Sequence, residues 1–129
     1  MRQTECTEQL VLVVEDEPGI AKVCTRTLTG EGYHVDIAAN GEMALEMWHK
    51  KPYFLCISDI MTPRMNGMEL FKRLQNECPG AADKFIFTTG NLLNREIKFF
   101  LEKTGRPYLP KPFSPDDLRE IVKKFLVTA

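Results

Sequence analysis

Four short apolar stretches of the chain each lead into polar residues that could take part in chemistry. The acidic pair Glu15-Asp16 follows VLVV, and Asp59 follows the run FLCIS. Further along, FIF leads into Thr88-Thr89-Gly90, and YLP leads directly into Lys111. The chain therefore places three carboxylates, hydroxyl groups and one ammonium group at the ends of apolar runs.

This set of side chains is suited to phosphoryl transfer at a metal ion. Carboxylates that lie close together without a cation repel one another. A hard divalent cation, Mg²⁺ or Mn²⁺, removes this conflict because it takes oxygen ligands and is held by carboxylates together with phosphate oxygens. An aspartate can act as the nucleophile, and lysine and threonine can stabilise the charge on the transferred group.

Each residue also has an ordinary structural explanation when it is considered alone. An aspartate at the end of a strand is usually a turn residue or a helix cap. Glu15-Asp16 precedes Pro18 and could cap a helix N-terminus, and Lys111 could simply be solvated. The chemical interpretation therefore depends on whether one fold brings these residues together.

The sequence around these residues alternates between two hydrophobic patterns. Short apolar runs predict strands at 11–14, 33–38, 53–58, 84–88 and 108–109. Between and after them, apolar residues recur at helical spacing. The predicted buried faces of the five helices contain Ile20, Val23, Cys24, Thr27 and Leu28; Met43, Ala44, Met47 and Trp48; Leu70, Phe71 and Leu74; Leu93, Ile97, Phe100 and Leu101; and Leu118, Ile121, Val122, Phe125 and Leu126.

Five strands that alternate with five helices predict an α/β fold, in which helices cover both faces of a parallel sheet. Such sheets carry their sites at the carboxyl ends of the strands, which is where the acids, the threonines and the lysine fall. The chain has 129 residues, a usual length for one domain. We expect an N-terminal tail at 1–8 and the domain at 9–129.

Charge and composition exclude several other functions. A net charge of −1 gives no pull toward nucleic acid, so no direct nucleic-acid binding is expected. No apolar run approaches membrane-spanning length and Met1 to Gln9 is polar, so membrane insertion is not expected either. The four cysteines form no CxxC pair, which argues against a zinc or disulfide framework and favours a cytoplasmic location.

The motifs VLVVEDEP, SDIMTPRMNGMEL, FIFTTG and YLPKPF, taken in this order, resemble those of a known family. The chain is similar over residues 9 to 127 to the receiver (CheY-like) domain of two-component response regulators. The resemblance implies a flavodoxin-like sheet of order 2-1-3-4-5. The stretch from Thr104 to Lys111 looks more like receivers attached to sensor histidine kinases, so a stand-alone receiver and a piece of a hybrid kinase both remain open.

The resemblance also implies a role for each residue of the predicted site. Asp59 would be the phosphoacceptor, and Lys111 would contact the phosphoryl group. Asp16, Asp59 and the backbone carbonyl of Met61 would bind Mg²⁺, with Glu15 contributing through water. The peptide bond after Lys111 would be cis. The chain would not be a classical enzyme, but it would catalyse its own phosphorylation and dephosphorylation at aspartate.

The resemblance further implies a conformational switch and its partners. Thr89 would move toward the phosphoryl group, and Tyr108 would turn inward, which reshapes the face formed by the fourth helix, fifth strand and fifth helix. The phosphoryl donor would be a histidine kinase or a histidine phosphotransfer protein, and the reshaped face could form a homodimer. Leu92 and Phe99 are predicted to point outward on the fourth helix, either as ordinary exposed residues or as a partner surface.

Three alternative functions compete with that of a phosphorylated receiver. A haloacid dehalogenase-like phosphatase needs a second acid two residues after the nucleophile, where Met61 stands. A dinucleotide-binding module needs GxGxxG after the first strand, where EDEPGIAKV has a single glycine. The remaining alternative is a receiver fold that only binds a partner, with weak or no phosphorylation. His34 and His49 are predicted to be surface residues, and Trp48 a core residue.

Overall fold

The computed structural model describes residues 9–128, so the tail predicted at 1–8 and Cys6 lie outside the described residues. Strands and helices alternate along the chain as predicted. The elements are β1 (Leu10–Val14), α1 (Pro18–Gly30), β2 (His34–Ala38), α2 (Gly41–Lys50), β3 (Leu55–Asp59), α3 (Gly67–Glu77), β4 (Phe85–Thr89), α4 (Arg95–Thr104), β5 (Tyr108–Pro110) and α5 (Pro115–Thr128), with a 3₁₀ turn at Ala81–Lys84.

The five strands form one parallel sheet of order β2-β1-β3-β4-β5, which confirms the predicted fold. Successive side chains of a strand point to opposite faces, so each central strand supplies both sides of the core. Leu12 and Val14 pack in one buried cluster with α2, α3 and α4. Val11 and Val13 pack in the other cluster with α1 and α5. Burial on both faces explains why the sequences of these strands are continuously apolar.

Two strands extend further toward the predicted site than their apolar runs indicated. β3 ends at Asp59 rather than at residue 58, and β4 ends at Thr89 rather than at residue 88. Both polar side chains are buried, Asp59 at 6% exposure and Thr89 at 0%. The sheet therefore holds Asp59 and Thr89 as ladder residues, not as members of mobile loops.

The predicted start of the fourth helix was wrong. Helical spacing predicts Leu93 on its buried face, but Leu93 precedes α4 and is 96% exposed. Leu92, predicted to point outward, is half-buried and packs against the core cluster. The reason is local: the side chain of Asn94 accepts a hydrogen bond from the Ile97 backbone N–H at 3.0 Å and caps the helix only after both leucines.

Three further apolar residues are more exposed than their helical spacing predicted. Val23, Met43 and Leu126 are 37%, 42% and 47% exposed. Each lies at the edge of its apolar stripe, where a helix leaves the sheet and meets water. Cys24, Cys56 and Trp48 are buried as predicted. None of the helices within residues 9–128 is both long and apolar enough to cross a lipid bilayer.

The loop between β3 and α3 requires glycine at its far end. A Cβ atom on Gly67 would lie 2.6 Å from the backbone oxygen of Asp59 and 2.9 Å from the Cα atom of Ile60. Asn66 and Glu69 form a reciprocal capping box at the same point, which fixes where α3 begins. The helix N-terminus is therefore pressed against the end of the strand that carries Asp59.

Candidate functional site

The carboxyl edge of the sheet collects the polar residues that the sequence analysis selected. Backbone hydrogen bonds continue the ladders just past the strands and fix the residues there. The N–H of Glu15 donates to the carbonyl of Ala38 at 2.9 Å, and the N–H of Lys111 donates to the carbonyl of Thr89 at 2.8 Å. Glu15, Asp59, Thr89 and Lys111 are thus positioned by the sheet itself.

Glu15, Asp16 and Asp59 form an acidic cluster at this edge. One carboxylate oxygen from each residue lies within 4.8 Å of the others, and no other group of this kind occurs in the described part of the chain. Glu15 is 4% exposed and Asp59 is 6% exposed, whereas Asp16 is open to solvent. All the potential ligand atoms of the cluster are oxygens, and the cluster is open to solvent on one side. Both features suit a hard divalent cation.

Lys111 supplies the positive charge of the cluster. Its Nζ atom lies 3.0 Å from Asp59 Oδ2 and 3.0 Å from Glu15 Oε1. Burial lowers the pKa of Lys111, but the hydrogen bonds to Asp59 and Glu15 outweigh burial, so the pKa lies above its usual value. The ammonium group therefore stays charged beside the predicted phosphoacceptor, and the bond after Lys111 is cis as predicted.

The carboxylate of Glu15 lies in an unfavourable electrostatic environment. Burial raises the pKa of its carboxyl group, hydrogen bonding to Lys111 partly offsets this, and the nearby charge of Asp59 adds to the rise. One ammonium group thus contacts two buried carboxylates, and the exposed carboxylate of Asp16 lies close to both of these. Glu17, which the sequence analysis did not select, adds a fourth acid, with Oε1 at 3.8 Å from Lys111 Nζ. An additional cation at this edge would relieve the excess of negative charge.

The loop that follows Asp59 is fixed at both ends. The Met61 N–H donates to Asp59 Oδ1 at 3.1 Å, and the Met61 side chain is 55% exposed. Further along, Arg64 and Met65 have positive φ angles of 51° and 85°, and Arg64 forms an ion pair with Glu42 of α2 at 2.7 Å. This conformation costs energy in residues other than glycine, so α2 must hold the loop in place.

The predicted switch residues occupy different environments. Thr89 is fully buried, and its Oγ1 atom accepts a hydrogen bond from the Asn91 N–H at 3.1 Å. Tyr108 is 42% exposed on edge strand β5. Its backbone position pairs with Phe87, two residues before Thr89 in β4. The two side chains thus belong to neighbouring strands, with Tyr108 turned outward.

Phe99, His34 and His49 lie away from this edge. Phe99 is 64% exposed on α4, with the Lys103 Nζ atom 5.6 Å from its ring centroid. Phe99 lines an open groove of about 560 Å³ between α3 and α4. His34 and His49 are both exposed, as predicted. Neither histidine belongs to the acidic cluster.

Comparison with known proteins agrees with this geometry. The family model of the response regulator receiver domain matches residues 11–123. The chain belongs to the response regulator receiver domain family, and its predicted resemblance to CheY-like receivers is confirmed.

Relatives of known identity carry this domain within longer proteins. The chain is 30% identical over 116 residues to the response regulator ArlR of Staphylococcus epidermidis, covering 90% of this chain and 52% of ArlR. It is also 30% identical over 119 residues to the transcription factor SKN7 of Saccharomyces cerevisiae, covering 90% of this chain and 18% of SKN7. The chain therefore spans about half, or less, of the length of these relatives.

Solved receiver structures superpose along almost the whole chain. A CheY-like receiver domain protein from Methanospirillum hungatei has 32% identity and a TM-score of 0.84, covering 94% of this chain and 95% of that chain. The receiver domain of a sensor histidine kinase from Pseudomonas aeruginosa has 27% identity and a TM-score of 0.82, covering 92% and 98%. That structure contains a magnesium ion coordinated in its active-site cleft.

Proposed function

We propose that this domain accepts a phosphoryl group on Asp59, in a Mg²⁺-dependent transfer from a phosphohistidine. The observation that carries the proposal is the position of Asp59 at the end of the central strand, almost fully buried, with Lys111 at 3.0 Å and the acidic pair beside it. A carboxylate between a fixed ammonium group and a cation-binding cluster is arranged for nucleophilic attack on phosphorus.

The acidic cluster fits a magnesium ion. Asp16, Asp59 and the backbone carbonyl of Met61 would hold the ion, and Glu15 would act through water. When bound, Mg²⁺ would neutralise the charge that develops on the phosphoryl oxygens. The magnesium ion in the related Pseudomonas aeruginosa receiver supports this assignment. Mn²⁺ has the same preference for oxygen ligands and should substitute for it.

The residues of the site then have separate tasks in the reaction. A carboxylate oxygen of Asp59 forms the new O–P bond while the P–N bond of the phosphohistidine breaks, and the imidazole of the donor leaves. Lys111 stabilises negative charge on the phosphoryl oxygens. Hydrolysis of the resulting acyl phosphate by water returns the Asp59 carboxylate and inorganic phosphate, which ends the signal.

Acetyl phosphate tests the proposal without the unknown kinase. Incubation with acetyl phosphate and Mg²⁺ should add the mass of one phosphoryl group to the intact protein, whereas EDTA should prevent the addition. Mass spectrometry of the intact chain measures both. Absence of labelling in Mg²⁺ would instead favour a receiver fold that acts only by binding a partner.

A groove beside the site could accommodate a histidine-containing partner. Ile20, Val23 and Phe113 line an apolar groove of about 300 Å³ between α1 and the segment after β5. Glu17 and Lys111 border the same groove. A helix that carries a phosphohistidine could pack its apolar side here and present the phosphoryl group to Asp59. We therefore infer that a histidine kinase or phosphotransfer protein docks at this groove.

Phosphorylation should change Thr89 and Tyr108 together. The new oxygens would attract the Thr89 hydroxyl, and Tyr108 would turn into the space that Thr89 leaves, which reshapes the face of α4, β5 and α5. With beryllofluoride and Mg²⁺, NMR signals of the Thr89 methyl group and the Tyr108 ring should both shift. The Tyr53 ring is buried just before β3, at the end of the strand opposite Asp59, and its signals should not shift. Thr89→Ala should remove the Tyr108 response, and a Tyr108 signal that still shifts in that variant would refute the coupling.

We propose that Phe99 is part of a partner or self-association surface on α4. Leu92 does not belong to this surface, because its side chain packs against the core. Phe99→Ser should weaken dimerisation of the beryllofluoride-activated protein at least about tenfold, because a large exposed ring is lost. Sedimentation velocity measures the change. Leu93→Ser is the matched control, since Leu93 is exposed but lies outside the helix. Unchanged dimerisation would exclude this surface, and equal loss of Asp59 labelling would indicate misfolding.

A further inference from the structure

A second group of reactive side chains lies at the C-terminal ends of α2 and α3. The Cys78 Sγ atom is 3.7 Å from His49 Nδ1, within hydrogen-bonding distance for sulfur. The other ring nitrogen of His49, Nε2, is 2.9 Å from Glu77 Oε1. Arg73 Nε in turn lies 2.6 Å from Glu77 Oε2. Three side chains from two helices and Cys78, which directly follows α3, therefore form one continuous chain of contacts that ends at a thiol.

Cys78, His49 and Glu77 follow one another in the order found at sites with an activated nucleophile. A nucleophile, a base within reach of it and a third group that orients the base are the parts that such sites share. Hydrogen bonding to Arg73 and then to His49 holds the pKa of Glu77 below its usual value, so Glu77 is a carboxylate that accepts the Nε2–H. Nδ1 of His49 is then left with a lone pair that can accept the thiol proton.

Cys78 also differs from the other cysteines that the structure describes. Cys24 and Cys56 are 2% and 0% exposed, and burial raises the pKa of both thiols, that of Cys24 to about 12. Buried thiols of this kind are inert toward reagents in water. Cys78 is half-buried and lies beside the imidazole, so a small molecule can reach its sulfur.

We propose that Cys78 is a modification site that undergoes thiol–disulfide exchange with low-molecular-weight disulfides. His49 accepts the proton of the Cys78 thiol, and the thiolate attacks one sulfur of the disulfide. A new S–S bond forms between Cys78 and that sulfur while the original S–S bond breaks. The leaving thiolate takes the proton from His49, which restores the neutral imidazole. Helix C-termini lie at the edge of the sheet opposite Asp59, so this site is separate from the acidic cluster.

Oxidised glutathione is the probe that tests the site. The Cys6→Ser background removes the cysteine that lies outside the described residues. In this background, one glutathione should attach at Cys78 of the native protein, located by peptide mass spectrometry. His49→Gln should slow the reaction at least about tenfold at neutral pH, because the base is lost. His34→Gln, which changes the other exposed histidine, should react at the rate of the Cys6→Ser background.

A second variant separates activation from folding. Glu77→Ala keeps His49 but removes the group that orients it, so the rate should fall severalfold while circular dichroism still shows a folded protein. Equal rates for His49→Gln, Glu77→Ala and the background would overturn the proposal. Attachment to Cys24 or Cys56 ahead of Cys78 would overturn it as well.

Discussion

Asp59→Asn is expected to abolish phosphorylation by acetyl phosphate in Mg²⁺. Asparagine has nearly the same shape, but its amide cannot form an acyl phosphate and is a poor ligand for a divalent cation. Intact-mass spectrometry should show no phosphoryl adduct at times when the wild-type chain is fully labelled. The variant should fold, because the change removes one of the buried negative charges that surround Lys111.

Asp83→Asn is the matched control for this experiment. Asp83 is exposed in the 3₁₀ turn near the start of β4, at the other end of the sheet, so its replacement should leave labelling unchanged. Undiminished labelling of Asp59→Asn would contradict the assignment of Asp59 as the phosphoacceptor. Loss of labelling in Asp83→Asn would show that the assay reports on folding instead.

Lys111→Gln is expected to lower the free energy of unfolding by about 3 kcal/mol without Mg²⁺, because removal of one partner leaves buried charges uncompensated. Here the partners are Glu15 and Asp59, two carboxylates that are each less than a tenth exposed. Urea denaturation measures the loss. Part of the stability should return in saturating Mg²⁺, since the ion replaces the missing positive charge.

The same variant should also label more slowly with acetyl phosphate, because no ammonium group stabilises the transferred oxygens. Lys98→Gln is the control: Lys98 is an exposed lysine on α4, and its loss should change stability by less than about 0.5 kcal/mol. A Lys111→Gln protein as stable as wild type with and without Mg²⁺ would show that the ammonium group does not compensate the acidic cluster.

The order and type of the elements could be predicted because both faces of the sheet are covered. A doubly buried strand has to be apolar throughout, and the helices that cover it have to be apolar on one side. Element ends were less predictable. Apolar spacing alone placed Leu93 on α4, but the cap at Asn94 begins the helix later and turns Leu92 to the core.

Some contacts on which the proposals depend could not be predicted from the sequence. Glu17 lies inside the motif VLVVEDEP, but its approach to Lys111, a residue far away in the chain, is visible only in the tertiary structure. His49 and Cys78 are separated by 29 residues and meet only because α2 packs against α3. Such pairs depend on how helices pack, which local spacing does not specify.

The sequence by itself determined which side chains stand at the ends of the strands and the chemistry that their types permit. Asp59, the acidic pair, Thr89 and Lys111 were all identified in this way. Only the tertiary structure decided the distances, because the order β2-β1-β3-β4-β5 brings together distant residues such as Asp59 and Lys111, which are separated by 52 positions. Parallel strands that share one edge turn distant residues into neighbours, and burial at that edge makes a single ammonium group balance two buried carboxylates.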